Sequence, residues 1–204
     1  MKLFLTPIKT KTSLSFIFIL LIFSCQPPKD EIKTEQPKPS GNCTYVRDEK
    51  NPLGKRIRVM QDEKFISLEF TDSAAKALYK GADFFKGYLS CVSVDTVLGI
   101  YFEFKILTDD AFQYYGMIKK DNKITLMLKS GKQVELPFGR TFSGNTNLTN
   151  EFTEYSSLAY LPKNASHLLQ SEELQGVRIS WSKKDEEYNV VNPKIFINQI
   201  PCVE

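Results

Sequence analysis

The sequence is poor in the residue types on which most catalytic and metal sites depend. Its 204 residues include one histidine, one tryptophan and four cysteines. A histidine-rich zinc site is therefore excluded, and no G-x-S-x-G or catalytic-cysteine context accompanies His167. Neither G-x-G-x-x-G nor G-x-x-x-x-G-K-[ST] occurs, so we expect no cradle for nucleotide phosphates. We expect His167 to be a surface residue.

Acidic residues are adjacent at two places, Asp109-Asp110 and Asp185-Glu186-Glu187. Two carboxyl groups at a defined separation can hydrolyse a glycosidic bond, but adjacent acids in turns are more typical of a solvated surface. Both clusters lack the D-x-[DN]-x-[DN]-G pattern of a calcium-binding loop. We therefore predict no catalytic residue, no metal site and no cofactor.

The distribution of charge argues against a nucleic-acid partner. The formal net charge of +3 comes from three lysines near the start of the chain, Lys2, Lys9 and Lys11, and the rest of the chain is neutral. A nucleic-acid-binding domain is expected to be strongly basic. Apolar residues make up 42% of the chain and aromatic residues 12%, which is enough for a packed core.

The beginning of the chain has the pattern of a secretory signal. The three lysines precede an apolar run from Leu14 to Phe23, and no acidic residue occurs before Asp30. The run is too short to cross a bilayer, for which a helix needs about 20 residues. A basic segment, an apolar segment and a small residue before the cut define a cleaved signal.

Residues 22–25 have the sequence Ile22-Phe23-Ser24-Cys25, which resembles the lipobox of bacterial lipoproteins. The resemblance implies that Cys25 is lipidated and begins the processed chain, so that the protein is held at a membrane by its lipid. Several acyl chains on one residue make a stable anchor, whereas one chain binds only marginally. The alternative is a plain signal whose next residue happens to be cysteine.

Lys29-Asp30-Glu31 lies close behind Cys25. A lysine followed by two acids near the lipidated cysteine resembles the export signal of surface lipoproteins in the Bacteroidota. The resemblance implies a location in the cell envelope, as an outer-membrane lipoprotein exposed at the surface. The alternative is a solvated linker without an export role.

The chain is predicted to have three parts. Residues 1–24 form the signal peptide, and residues 25–42, which contain four prolines, form a flexible tether. Residues 43–204 form a single β-rich domain, in keeping with the length of the chain.

Three cysteines remain once Cys25 is assigned to the anchor, and they allow three pairings with one thiol left over. Disulfides persist in exported proteins. Cys43 and Cys202 flank the predicted domain, and the termini of a domain often lie close together. We favour a disulfide between Cys43 and Cys202, with Cys91 buried as a small apolar residue. A redox role for Cys91 would need a C-x-x-C spacing, which is absent.

Alternating apolar residues predict a mainly β fold, an antiparallel sandwich or open barrel with two or three short helices. The clearest strand is 100–107, and the best hairpin is 123–137, which turns at Ser130-Gly131. Another strand is expected to bury Ile66, Leu68 and Phe70 together. Short helices are predicted at 72–81, at 165–175 before Gly176, and from Asn192-Pro193 to Pro201.

Residues 43–202 are similar in general pattern to small Bacteroidota lipoproteins of unknown function. The shared features are a cysteine-tyrosine start, a lysine-glycine hairpin, a Leu-Leu helix before a V-R-I strand, and a closing cysteine. Here they correspond to Cys43 with Tyr45, Lys129 to Lys132, Leu168-Leu169 before Val177-Arg178-Ile179, and Cys202. The resemblance implies no activity.

The sequence favours a non-catalytic binding or structural module that contacts an unknown protein or glycan. Four tyrosines are candidates for a carbohydrate platform, with burial in the core as the alternative: Tyr101, Tyr114, Tyr115 and Tyr155. An envelope hydrolase is a second hypothesis, and it requires Asp109, Asp110 and His167 in one pocket. A third is an inhibitor or immunity-type protein that blocks one partner.

Overall fold

The computed structural model describes residues 43–147, 149 and 151–204. The predictions for the signal peptide, the lipidated Cys25, Lys29-Asp30-Glu31 and the tether fall on residues outside these ranges. Within them, no helix has the length and apolarity needed to cross a bilayer.

The described residues form eleven strands and four short helices. The strands are β1 (Tyr45–Lys50), β2 (Arg56–Met60), β3 (Glu63–Glu69), β4 (Asp83–Val94), β5 (Val97–Ile106), β6 (Lys123–Leu128), β7 (Gln133–Pro137), β8 (Asn145–Asn147), β9 (Phe152–Tyr160), β10 (Leu174–Ser180) and β11 (Asp185–Asn189). The helices are α1 (Ser73–Leu78), α2 (Ala111–Tyr115), α3 (Lys163–Ser171) and α4 (Ile195–Val203). This confirms the predicted mainly β class, although α2 adds a helix to the two or three expected.

The strands belong to two antiparallel sheets. One has seven strands in the order β1-β2-β4-β5-β9-β8, with β3 also paired to β4, and the other has four in the order β11-β10-β6-β7. Isolated bridges join the sheets at both edges, one between Phe138 and Ala159 and one between Ile66 and Val190. A path across the strands from β3 through both sheets therefore returns to β3, as in a flattened barrel.

The core lies between the two sheets. Alternate residues of β5 point into it, and Ile100, Phe102 and Phe104 are each 0% exposed. Trp181 packs edge-on against Phe104, with ring centroids 5.7 Å apart. Each such large apolar side chain contributes about 1.5–3 kcal/mol on burial, so the predicted strand at 100–107 is also the centre of the fold.

Strand β3 departs from the predicted alternation. Phe65 and Ile66 are both fully buried, whereas Leu68 is 39% exposed. The pairing of β3 with β4 shifts register between Lys64 and Ile66. An irregularity of this kind turns two successive side chains toward the same side, which a strict period of two does not anticipate.

The predicted helix end at Gly176 is wrong. Helix α3 ends at Ser171, and Gly176 lies inside β10. A Cβ atom on Gly176 would lie 2.9 Å from the terminal methyl carbon of Met127 and 3.3 Å from the carbonyl oxygen of Tyr188. The glycine therefore permits close packing within the small sheet, which is a different use of the residue from ending a helix.

The start of α4 and the segment before it also differ from prediction. Asn192 does not cap the helix; its side chain donates a hydrogen bond of 2.8 Å to Glu63, and Lys194 occupies the cap position. The helix continues past Pro201 to Val203. Residues 185–187, predicted as part of a charged turn, belong to β11.

A disulfide joins Cys43 to Cys202 with an S–S distance of 2.02 Å, and this is the pair that the sequence favoured. Tyr45 strengthens the same junction, because its hydroxyl donates a 2.7 Å hydrogen bond to the carbonyl oxygen of Cys202. Cys91 is a free thiol and is buried. Burial, and to a smaller extent the negative charge of Glu63, raises the pKa of the Cys91 thiol.

Candidate functional site

The residues of the hydrolase hypothesis are not gathered in either of the two cavities described below. His167 is exposed on α3, and Asp109 and Asp110 are exposed before α2. None of the three lines either cavity. Across the ranges that the structure covers, no group of three or more histidine, cysteine, aspartate or glutamate side chains could hold a metal ion.

The four candidate tyrosines do not form one platform. Tyr155 is 0% exposed, and its hydroxyl donates a 2.9 Å hydrogen bond to the carbonyl oxygen of Gly116. Tyr115 is almost as deeply buried, whereas Tyr114, one residue earlier, is 65% exposed. Only Tyr114 and Tyr115 line the same cavity.

That cavity has a volume of about 410 Å³ and is lined mainly by aromatic rings. We call it the aromatic cavity. One wall consists of Phe70, Tyr79 and Phe84: Phe70 and Tyr79 stack with their planes 5° apart and their centroids 4.8 Å apart, and Phe84 leans on Phe70 at 5.2 Å. Tyr114 and Tyr115 form a second wall, and the volume falls in the range of small-molecule sites.

Helix α1 lies between Phe70 and Tyr79 in the chain and has no buried residue of its own. Asp72 caps it, accepting a 2.8 Å hydrogen bond from the backbone nitrogen of Ala75. At the other end, Gly81 has a φ of +74°, which lets the chain turn back into β4. Because α1 buries nothing, the stack of Tyr79 on Phe70 is its principal apolar attachment.

Helix α2 carries the second wall and is fixed to the turn between β10 and β11. The backbone nitrogen of Met117 donates a 2.9 Å hydrogen bond to the Ser182 hydroxyl, and the Ser182 nitrogen donates one of 2.9 Å to the Met117 carbonyl. Gly116, with a φ of +76°, makes this approach feasible, because a Cβ atom there would lie 2.1 Å from the Ser182 hydroxyl oxygen. The Tyr155 hydroxyl, which donates to the carbonyl oxygen of Gly116 from the core, fixes the same end of α2.

Lys184 supplies the cationic group of the aromatic cavity. Its Nζ lies 3.9 Å from the ring centroid of Tyr115 and 3.2 Å from a carboxylate oxygen of Glu186. Glu186 also accepts a 2.6 Å hydrogen bond from the hydroxyl of Tyr188. Burial raises the pKa of both Tyr115 and Tyr188, and Glu186 raises it further. Both tyrosines are therefore neutral hydrogen-bond donors at neutral pH.

A second cavity, of about 520 Å³, lies beside α4 and has a polar lining that includes Asp62, Glu63 and Gln199. Its most buried polar group is Gln199, which is 1% exposed. The Gln199 amide donates to Glu63 at 2.9 Å and to the Gln61 carbonyl at 3.2 Å. These groups satisfy one another, so this cavity has a structural explanation that requires no ligand.

The outer face of the large sheet carries exposed apolar side chains at one end. Val94 pairs with Val97 across the β4–β5 turn, and Leu158 and Tyr160 of β9 continue the same face. Their exposed fractions lie between 42% and 59%. We call these four residues the outer apolar face, and a flat surface of this kind is typical of contact with another macromolecule.

The sequence analysis missed most residues of the aromatic cavity, namely Phe70, Tyr79, Phe84 and Lys184. A usable signal was present: Phe70 precedes the predicted helix at 72–81, and Tyr79 lies near its end. Aromatic residues at both of its ends are placed where they either hold the helix down or contact a ligand.

Comparisons of the chain with protein-family models, with curated proteins and with solved structures found no match.

Proposed function

We propose that this protein is a non-catalytic binding module of the bacterial cell envelope, anchored by a lipid on Cys25, and that it takes its ligand in the aromatic cavity. The observation that carries the proposal is that two pairs of aromatic side chains, Phe70 with Tyr79 and Tyr114 with Tyr115, line one cavity that is open to solvent. Open concave sites lined by aromatic rings with a few polar groups are the usual form of ligand sites.

The construction of the walls supports this proposal. Gly116, the Met117–Ser182 hydrogen bonds and the Tyr155 hydroxyl together fix α2. A wall held in advance binds more tightly, because less conformational entropy is lost on binding. The hydrolase alternative required Asp109, Asp110 and His167 in one pocket, and neither described cavity contains any of them.

The binding site is tested by saturation-transfer NMR with three separate probes: phenol, N-acetylproline amide and methyl glucoside. We expect contact with at least one probe, lost in Tyr79→Ala and in Tyr114→Ala. Tyr160→Ala is the matched control, since Tyr160 is 59% exposed but lies on the outer apolar face. Equal signals in all variants, or no signal in any, would overturn the proposed site.

The anchor is tested by protease treatment of intact cells, with native protein beside a Cys25→Ala variant. We expect native protein to be cleaved at the surface and the variant to be released from the membrane. Native protein that is protected yet cell-bound would place the protein on the periplasmic side. A variant that stays bound like the native chain would contradict lipidation at Cys25.

The outer apolar face favours a second candidate, an inhibitor or immunity-type protein that blocks one partner protein. Flat apolar surfaces suit a protein better than a small molecule. The test compares which envelope proteins are retained by the native chain, by Leu158→Asp and by Tyr114→Ala. A protein retained by Tyr114→Ala but lost from Leu158→Asp favours this candidate, and equal retention by both contradicts it.

A further inference from the structure

We infer that the aromatic cavity binds a neutral carbohydrate. This inference rests on the proposed function, since it names the chemical class of ligand for the same site. Three properties of the cavity lead to it: flat ring faces, a compensated charge and unpaired hydroxyl groups.

The ring faces come first. Phe70 and Tyr79 stack almost in parallel, which leaves one face of each ring free of the other, and Phe84 packs against Phe70 at a tilt of 59°. Tyr114 faces the cavity from the other wall with most of its side chain in solvent. An aromatic face carries partial negative charge and attracts the polarised C–H groups of a ring stacked on it. A pyranose ring presents such C–H faces.

The charge of the cavity is already compensated. Lys184 is the one charged side chain among the residues that line the cavity, and Glu186 lies 3.2 Å from its Nζ. The neighbouring Lys183 donates a 2.8 Å hydrogen bond to the carbonyl oxygen of Gln113. An anionic ligand would have to compete with Glu186 for Lys184, so a neutral ligand fits better.

The polar groups at the cavity are mostly hydroxyls. The Tyr79 and Tyr114 hydroxyls have no hydrogen-bond partner among the described residues, and Thr108 adds a third hydroxyl to the lining. A hydroxyl both donates and accepts, which matches sugar hydroxyls that do the same. A proline-rich peptide also stacks on aromatic rings, but it offers mainly carbonyl acceptors. The donor-and-acceptor lining therefore favours a sugar over such a peptide.

The test uses isothermal titration of the native chain with four neutral hexasaccharides: β-1,4-glucose, α-1,4-glucose, β-1,4-mannose and β-1,4-N-acetylglucosamine. We expect at least one to bind with a Kd below about 1 mM, an affinity of about 4 kcal/mol. Tyr79→Ala and Tyr114→Ala should each weaken it by a factor of about ten or more. The control Tyr160→Ala, on the outer apolar face, should change the Kd less than two-fold.

The alternative outcomes separate this inference from the proposed function. One outcome is that no hexasaccharide binds at concentrations up to about 10 mM, whereas deca-proline binds the native chain and does not bind Tyr79→Ala. The carbohydrate inference then fails and the binding site stands. Tight binding of polygalacturonate that Lys184→Met abolishes would overturn the neutral assignment. If neither sugars, deca-proline nor phenol distinguishes Tyr79→Ala from Tyr160→Ala, the proposed function fails as well.

Discussion

Gln199 in α4 accepts a 2.8 Å hydrogen bond from the backbone nitrogen of Cys91, 108 residues earlier in the chain. Cys91 lies within β4, so this bond fixes α4 to the large sheet. The amide nitrogen of Gln199 donates at the same time to Glu63 and to the Gln61 carbonyl. One side chain therefore links α4 to two separate segments of the sheet.

Gln199→Leu removes these three hydrogen bonds and leaves the buried backbone nitrogen of Cys91 without its partner. An unsatisfied buried group costs about 1–3 kcal/mol, so we expect the free energy of unfolding to fall by at least about 2 kcal/mol. Urea denaturation followed by tryptophan fluorescence measures it. Asn198→Leu, at the exposed neighbouring position, is the control, and an equal loss there would show that the network contributes little.

Cys91 is expected to be chemically silent in the folded protein. The thiol is 1% exposed and its pKa is raised, so little thiolate forms and reagents cannot reach it. In a Cys25→Ala variant, a maleimide reagent should label no cysteine in native buffer and one cysteine in guanidinium. Labelling of the folded Cys25→Ala variant within minutes at neutral pH would contradict the assignment of Cys91 as an unreactive thiol.

Reduction of the Cys43–Cys202 disulfide should destabilise the protein strongly. The two cysteines are 159 residues apart, and a cross-link across a long loop restricts the unfolded chain most. We expect dithiothreitol to lower the free energy of unfolding by about 2–5 kcal/mol in urea titrations. The Cys43→Ser/Cys202→Ser variant should show this loss already and none further on reduction.

Gly116→Ala should destabilise the protein more than Gly131→Ala. Both glycines have positive φ, +76° and +85°, but a Cβ on Gly131 would meet nothing within 4 Å. Gly131→Ala therefore measures backbone strain alone, about 1–2 kcal/mol. Gly116→Ala adds the collision with Ser182, about 1–3 kcal/mol more, and should also weaken ligand binding through α2. Equal losses in the two variants would mean that the Gly116–Ser182 approach relaxes freely.

The protein is expected to lose stability in alkali. Burial raises the pKa of Tyr155 to about 12 and raises the pKa values of Tyr115 and Tyr188 as well, from an ordinary value of 10.0. Above about pH 10 the unfolded chain then binds fewer protons than the folded chain, so the free energy of unfolding falls as pH rises. The slope is about 1.4 kcal/mol per pH unit for each tyrosine.

This pH dependence is measured by urea denaturation between about pH 9 and pH 11.5. Tyr155→Phe should remove about one tyrosine's share of the slope, while lowering stability at neutral pH because the Gly116 carbonyl loses its donor. A Tyr155→Phe slope equal to the native one would contradict the assignment.

The parts of the fold that the sequence predicted are those in which local pattern and burial agree. Strand β5 alternates fully buried Phe102 and Phe104 with partly exposed Tyr101 and Glu103, so a period of two identifies it. Strand β3 was harder, because its register shift buries Phe65 and Ile66 together. Gly176 was misread because packing of a strand and the end of a helix can require the same residue.

The aromatic cavity could not be predicted because tertiary pairing creates it. Glu69 pairs with Asp83 across β3 and β4, and this brings Phe70 next to Phe84. Tyr79 reaches Phe70 only because the chain leaves the sheet in the short helix α1, which Asp72 caps, and turns back at Gly81. The second wall is formed by Tyr114 and Tyr115 of α2. This helix is too short to produce a periodic pattern in the sequence. Only the general expectation of an aromatic binding surface could be formed beforehand.

The Cys43–Cys202 disulfide has a mechanical consequence. Strand β1 follows Cys43 directly and hydrogen-bonds on one side only, to β2, so tension on the preceding chain would by itself peel it away one bond at a time. The covalent link passes that tension at once into α4, which is held to the sheet by Gln199. A pull on the chain before Cys43 therefore acts on both ends of the described fold together, and the edge strand bears none of it alone.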